Sequence, residues 1–449
     1  MNTTSDYDKC LELMYSMRRF GIKLGLDLTS GILKELGNPQ NRYKTIHIAG
    51  TNGKGSIASG LASILECAGY KTGLYTSPHL IKFNERISVN KTDISDENVV
   101  KAYRAVQRSC HASREPTFFE FSTAMAFYEF GLQNVDAAVI ETGMGGRLDA
   151  TNVITPQLSV ISNISVEHKT YLGGTITEIA SEKGGIIKDN TPVITGAKQK
   201  SALSVFEKLS KEKNAPLYIY GKNFFIRRDK KKGTFSYSGI DKGILKNMKT
   251  GLIGNYQTDN AALVVAACEL LTKRNIFYIS EEHIRKGLEK NRWEGRLERV
   301  TVDEKIYADM KLRSNKVEII LDGAHNLAAS KNLAGFLKEN NDKKITMIIG
   351  ILDDKPYKSI LKALIPVCEK VIFVMPKIER AIKPELLLKE VKKIAEPKLE
   401  SVTIPSIEEA LKYAVKTAGK DELICISGSL YVVGEAKAAM KNLKIGYRF

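Results

Sequence analysis

The sequence predicts an α/β chain built on doubly wound, mainly parallel sheets, arranged as two domains. Three observations predict it. Short apolar runs alternate with longer stretches whose apolar residues recur at helical spacing. This alternation occurs in two separate series along the 449 residues. A charged segment holding the only tryptophan, NRWEGRLERV (291–300), parts the two series. A chain of this length suits two or three domains with well-buried cores.

In the first series the strand-like runs are KTIHIAG (44–50), DAAVIET (136–142), LSVISNI (158–164) and TPVITG (191–196). The stretches SIASGLASILECAGY (56–70), FSTAMAFYEFGL (121–132) and AACELLTKR (266–274) carry apolar residues at helical spacing. The second series starts near residue 300 with VEIILDGAH, KKITMIIGIL, KVIFVMP and ELICISGS, each followed by a helix-like segment. The junction is placed near residue 297. No internal repeat or low-complexity tract interrupts either series.

Composition narrows the class. With 43% hydrophobic and 27% charged residues the chain reads as globular, not disordered. The six cysteines (10, 67, 110, 268, 368 and 425) are scattered without a C-x-x-C pair, which argues against a zinc ribbon or disulfide framework and suits a reducing cytoplasm. MNTTSDYDKC lacks the charged-then-apolar pattern of a secretory leader, and AALVVAACELL (261–271) contains Glu269 and is too short to span a bilayer. A soluble, cytoplasmic protein is expected.

The net charge of +17 has two readings. It attracts a polyanion over a distance, or it is a lysine-rich surface in contact with water. The densest basic run, RRDKKKG (227–233), lies between strand-like segments, as a hairpin tip does. No recognition helix, zinc finger or basic-aromatic repeat accompanies it, so the second reading is favoured and no nucleic-acid partner is expected.

The most informative stretch is IHIAGTNGKGS (46–56). A buried strand running into a glycine-rich loop and then a helix aims backbone N–H groups and a helix N-terminus at one point. Glycines 50, 53 and 55 let the backbone approach an anion, Lys54 neutralises phosphate charge, and Ser56 presents a hydroxyl to phosphate or magnesium. The spacing departs from G-x-x-x-x-G-K-[ST], since the first gap is shorter and a glycine separates lysine from serine. The alternative is a plain glycine turn. AVIETGMGGRLDATN (138–152) ends a strand with Glu141 and opens a second glycine-rich loop; a carboxylate there suits magnesium, or a helix cap or loop ion pair. Taken alone, His168 and Lys183 read as scaffold and surface residues. ILDGAHN (320–326) sets Asp322, His325 and Asn326 just after a strand, where parallel sheets bind ligands.

Together these segments form an ordered set: AGTNGKGS, TSPHL with FNERI, TFFEFSTAMAF, ETGMGGRLDATN, EHKTYLGGTITEIASEKGGIIK, NYQTDNA, WEGR and LDGAHN. The set resembles the folylpolyglutamate synthase and dihydrofolate synthase family of the ATP-dependent Mur ligase superfamily, from about residue 46 to 430. GRLDATN is similar to the bacterial-type branch in particular. The resemblance implies a P-loop-type N-terminal domain (1–297) that binds ATP and a pterin, and a smaller Rossmann-like domain (298–449) that binds glutamate. It implies an amide ligase using ATP and Mg2+. A substrate carboxylate is phosphorylated, the amine of L-glutamate attacks the acyl phosphate, and ADP and phosphate leave.

It also implies residue roles. Asn52, Gly53, Lys54, Gly55 and Ser56 cradle the ATP phosphates, and Asn260, with Gln257 nearby, contacts the nucleotide. Arg296 and Asp322 complete the ATP site on domain closure. Ser77 and Glu141 match ligands of one magnesium and His168 a ligand of a second. Lys183 falls on the family's carbamylated lysine, whose modified form is an anion able to help hold metal. His325 is a candidate for positioning the acyl phosphate, and Ser429 of SGSLY for holding glutamate. Ile22, Lys23, Leu24, Thr117, Phe119, Leu148, Asp149 and Ala150 match pterin-binding places; Asp149 would accept from an aminopyrimidine edge and Phe119 would stack on the ring. For these last two, a loop cap and a core aromatic are the alternatives.

Departures from the family pattern are Glu167 where aspartate usually precedes the histidine, WEGR for W-P-G-R, ETG for E-V-G, and Leu327 in place of proline. None removes Lys54 or a metal ligand. The resemblance implies small-molecule substrates and a monomer. A Mur-type ligase for a different acid, and a nucleotide-dependent switch protein, stay open at this point.

Overall fold

The computed structural model describes residues 5–17, 21, 23, 25–111, 114–241, 243–301, 317–339, 343–394, 399–419, 421–443 and 445. Ile22 and Leu24 lie outside them. The chain divides into two compact units, Met1–Gly251 with Gln257–Arg292, and Leu252–Tyr256 with Trp293–Phe449.

The first unit is built on an eight-stranded sheet. Its strands are β1 (Lys44–Ala49), β2 (Thr72–Tyr75), β3 (Ile87–Val89), β4 (Thr92–Asp93), β5 (Ala137–Glu141), β6 (Leu158–Ile161), β7 (Val193–Thr195) and β8 (Leu217–Ile219), in the order β4-β3-β2-β5-β1-β6-β7-β8. All pairings are parallel except those of β3 with β2 and with β4. Every residue of β1 after Lys44 and all of β5 are buried, the continuous apolar pattern of a parallel sheet covered on both faces. Register sets Ile48 beside Glu141 of β5 and beside Val160 of β6, so the chain ends following β1, β5 and β6 emerge together at one edge. Ligands of doubly wound sheets bind at such an edge.

The helix Lys54–Cys67 follows β1 and is buried from Gly55 to Leu65, which explains its lack of a polar face. The helix Phe118–Leu132 is likewise apolar around most of its circumference. It starts with a capping box in which Thr117 and Glu120 satisfy each other's backbone N–H groups, and Arg114 clamps the buried Glu120 carboxylate. A three-stranded antiparallel ribbon of β9 (Phe225–Asp229), β10 (Thr234–Ser238) and β11 (Ile244–Met248) belongs to the same unit. The RRDKKKG run ends β9 and forms the turn (230–233) into β10, as its position between strand-like segments predicts.

The second unit holds a six-stranded sheet of β12 (Glu298–Thr301), β13 (Glu318–Leu321), β14 (Lys344–Ile349), β15 (Lys370–Phe373), β16 (Glu400–Thr403) and β17 (Glu422–Ser427), in the order β12-β13-β17-β14-β15-β16. Only β12 runs antiparallel to its neighbour. Ile320, Met347, Phe373, Leu361 and Leu423 form the centre of its core. Among the described residues, no helix is long and apolar enough to cross a membrane.

Candidate active site

Gly50 and Gly53 open the phosphate loop because nothing else fits. Gly50 has φ +140° and its Cβ would lie 1.9 Å from Ser162 Oγ; Gly53 has φ +87° and its Cβ would lie 2.6 Å from Asn260 Oδ1. The loop between them is held by two polar residues that close β6. Ser162 Oγ donates to the Asn52 carbonyl at 2.6 Å, while Asn163 both accepts from Asn52 N (3.1 Å) and donates to Asn52 O (2.9 Å). Gly53 then caps the helix Lys54–Cys67 with no side-chain acceptor for the first N–H groups. A helix N-terminus without a side-chain cap carries partial positive charge and donors suited to an anion.

Two lysines meet at this loop. Lys54 Nζ donates to the Gly50 carbonyl at 3.2 Å, and Lys183 Nζ donates to the same oxygen at 3.0 Å. Lys183 also pairs with Glu167 Oε1 at 2.9 Å and is 1% exposed. Burial, foremost, and the neighbouring Lys54 pull Lys183 below the ordinary lysine value, against the pull of Glu167. Glu167 is pushed up by burial, but Lys183 and Lys54 outweigh this and bring it down to about 2. His168 follows with φ +45° and caps the short helix Lys169–Leu172.

Around the loop, Gln257 Nε2 donates to Ser56 Oγ at 3.2 Å, and Asn260 Nδ2 donates to Gln257 Oε1 at 2.9 Å. Both residues therefore sit directly against the loop that the sequence assigned to phosphate. At the end of β5 the buried Glu141 accepts from Ser77 N at 3.2 Å. Among the described residues, no group of three or more His, Cys, Asp or Glu side chains is placed to hold a metal. Glu141 beside Ser77 is instead a sparse set of hard oxygen donors. Magnesium suits such a set, since it takes one or two carboxylates and completes its shell with phosphate oxygens and water.

The residues matched to pterin places divide. The Phe119 ring lies against Gly143, where a Cβ would fall 2.4 Å from its Cζ, and Thr117 caps its helix. Asp149 does what a loop cap does. Its Oδ1 accepts from Thr151 N (3.1 Å) and Oγ1 (2.5 Å), and its Oδ2 from Met144 N (2.8 Å), so both oxygens are spent on its own loop. Burial raises its pKa, and those N–H and O–H donors oppose the rise. Leu148 is half-buried, Ala150 is buried and opens the turn Ala150–Val153, and Lys23 is exposed.

In the second unit, Asp322 is buried and accepts from Leu297 N and Ala324 N, each at 3.0 Å, and from Tyr256 Oη at 3.5 Å. Burial raises its pKa, and Arg296 chiefly offsets the rise. Arg296 Nη1 donates to the Gly295 carbonyl at 3.1 Å. His325 Nδ1 lies 2.8 Å from the Gly323 carbonyl, which only accepts, so Nδ1 carries a proton and Nε2 is the basic nitrogen of the neutral ring. Asn326 caps the helix Leu327–Lys338, and Ser429 caps the helix Leu430–Asn442 by accepting from Val432 N at 3.2 Å.

Sequence reasoning missed Ser162, Asn163, Thr151 and His47. A signal existed for the first two, since LSVISNI turns polar at the carboxyl end of a buried strand.

Strand, loop and helix of this kind define a nucleotide-binding domain of Mur ligase type, and residues 48–268 match the Mur ligase middle domain. Residues 304–439 match the C-terminal domain of dihydrofolate synthetase. The dihydrofolate synthase/folylpolyglutamate synthase of Bacillus subtilis is 35% identical over 445 residues, 97% of this chain and 99% of that protein. A structure of Mycobacterium tuberculosis folylpolyglutamate synthase complexed with ADP and AMPPCP is 29% identical, with TM-score 0.85 over 99% of this chain and 100% of that one. E. coli FolC in complex with DHPP and ADP is 25% identical, with TM-score 0.86 over 97% and 98%. The chain belongs to the dihydrofolate synthase/folylpolyglutamate synthase family of ATP-dependent ligases.

Proposed function

We propose that this enzyme joins L-glutamate to the carboxylate of a folate-type acceptor, dihydropteroate or a tetrahydrofolate polyglutamate, through an acyl phosphate, releasing ADP and phosphate. The observation that carries the reading is the convergence on Gly50 and Gly53. A helix N-terminus without a side-chain cap, the Lys54 ammonium and the Asn260–Gln257–Ser56 chain all meet there, with the Lys183 side chain beside them.

ATP and a carboxylate repel each other, so the reaction needs cationic groups on the phosphates before the acid is primed. Asn52, Gly53, Lys54, Gly55 and Ser56 would supply N–H donors, a hydroxyl and one full charge. Lys54 now rests on a carbonyl of its own loop, an interaction an incoming phosphate oxygen outbids because it is charged. Glu141, Ser77 and His168 are assigned to magnesium, which when bound withdraws charge from the phosphate oxygens. Lys183 is assigned the carbamate role. Its depressed pKa enlarges the neutral fraction, and the neutral amine is the form that adds carbon dioxide.

Thr117, Phe119, Leu148, Asp149 and Ala150, with Lys23, are assigned to the acceptor, Asp149 also holding their loop in place. Arg296 and Asp322 are assigned to nucleotide contacts, His325 to positioning the acyl phosphate through Nε2, and Ser429 to glutamate through the helix it caps. We place the enzyme in the cytoplasm, which its six unbridged cysteines support, as a monomer acting on small molecules without a nucleic-acid partner. The test is mass analysis of products formed from labelled glutamate, ATP and each acceptor. Acceptors extended by whole glutamyl residues are expected; unextended acceptors with ATP consumed overturn the reading.

A further inference from the structure

We propose that His47, which stands apart from the groups assigned to chemistry, is the positioning residue that fixes the loop 143–152 and the Lys183 helix relative to the phosphate loop. The inference rests on the ligase reading above and deepens it.

His47 lies on β1, three residues before Gly50, and is fully buried between Ile140 of β5 and Ser159 of β6. Its Nε2 is 2.9 Å from Thr151 Oγ1. The Thr151 hydroxyl donates its single proton to Asp149 Oδ1 at 2.5 Å, so it can only accept from His47, and Nε2 is the protonated nitrogen. Burial, with a smaller push from Lys188, holds the ring neutral by lowering its pKa to about 3. Nδ1 is buried with no hydrogen-bond partner. A buried imidazole with one bare nitrogen is costly where an apolar residue would fill the space, so the Nε2 bond is what the position retains.

That bond closes a ring of contacts. From His47 it passes through Thr151 to Asp149, whose carboxylate gathers the backbone of the loop at Met144 and Thr151. The loop is tied to the helix Ile176–Gly184 and its C-cap by Arg147 N to Glu182 O (2.7 Å) and Asn152 Nδ2 to Gly185 O (3.0 Å). The same helix carries Lys183, whose Nζ donates to the Gly50 carbonyl at 3.0 Å. Gly50 directly follows the strand on which the ring began. Opening the ring at His47 frees the acceptor loop and Lys183 to shift together against phosphate groups held by an unchanged loop. A displacement of about 1 Å in such an arrangement costs about 100-fold in rate.

The test compares parent enzyme with T151V, T151S, H47A and the H47A/T151V pair, measuring kcat with dihydropteroate and with tetrahydrofolate, and ADP affinity by calorimetry. T151V and H47A should each lose about 100-fold in kcat with ADP affinity held within about threefold, and the double variant should be no worse than either single one. T151S, which keeps the hydroxyl, should recover most of the rate. Should H47A not fold, the T151V and T151S pair carries the test alone. An active parent with T151V at full kcat overturns this inference alone. So does a loss of ADP affinity in step with kcat, the mark of general unfolding. A parent that extends neither acceptor overturns the ligase reading, and this inference with it.

Discussion

The turn after β1 and the turn after β13 each follow the carboxyl end of a strand with a parallel neighbour, yet they use polar residues in opposite ways. After β1, the side chains of Ser162 and Asn163 hold the Asn52 backbone from outside the loop, Asn260 lies against Gly53, and the helix start carries no side-chain cap. After β13, Asp322 and Asn326 satisfy their own backbone, Asp322 across Leu297 and Ala324 and Asn326 at a helix start. The difference teaches that a motif's polar residues are available for chemistry only when other residues have taken over the structural task. It also separates two kinds of substitution: those that remove function with modest loss of fold, and those that do the reverse.

The largest expected effect is on the first side. Lys183→Ala should abolish glutamate transfer, and because it leaves Glu167 buried without its partner it should also cost about 3–5 kcal/mol of stability. Added acetate should restore part of the activity in product assays if a carboxylate is what the position supplies; full activity in the unsupplemented variant contradicts the role. Gly53→Ala forces a side chain into positive φ and against Asn260, for which we expect about 1–3 kcal/mol of destabilisation and at least about tenfold weaker ADP binding by calorimetry. Equal ADP affinity would place the nucleotide elsewhere.

A smaller effect follows from His47. Its folded pKa of about 3 lies below its ordinary value of 6.5, so the unfolded chain takes up a proton between these values that the native chain refuses. Stability is therefore fully present above pH 6.5 and declines as pH falls toward 3, by about 1.4 kcal/mol per pH unit from this residue. Urea unfolding at stepped pH should show a shallower decline in H47Q; identical slopes contradict a neutral buried His47. The smallest effect belongs to the second turn. Asn326→Ala should cost about 1 kcal/mol through its lost cap and leave kcat within about threefold, read by thermal unfolding beside turnover.

The contrast also explains what the sequence made legible. The phosphate loop was readable because strand, glycines, lysine and helix are contiguous, and the alternation of buried runs was enough for both parallel sheets. The braces were not: Asn163 lies 111 residues from Asn52, and nothing local in SNI says which loop it will hold. The ribbon β9–β11 was legible only as strand-like segments on either side of the basic run, because its strands are half-exposed and mostly polar, with no continuous apolar signal. Asp149 could be read as ligand or loop cap from its sequence, and only the positions of Met144 and Thr151 show that both oxygens are occupied. Lys183, by itself an ordinary lysine in a polar helix, acquires its meaning from burial beside Glu167 and Gly50.

The central claim is that ATP cleavage at the braced loop is coupled to joining an acid and an amine. Phosphate release should be followed continuously while ATP, the acceptor and glutamate are each left out in turn. The account predicts sustained release only when all three are present, with about one glutamyl residue added per phosphate. Release at an undiminished rate without glutamate would contradict it.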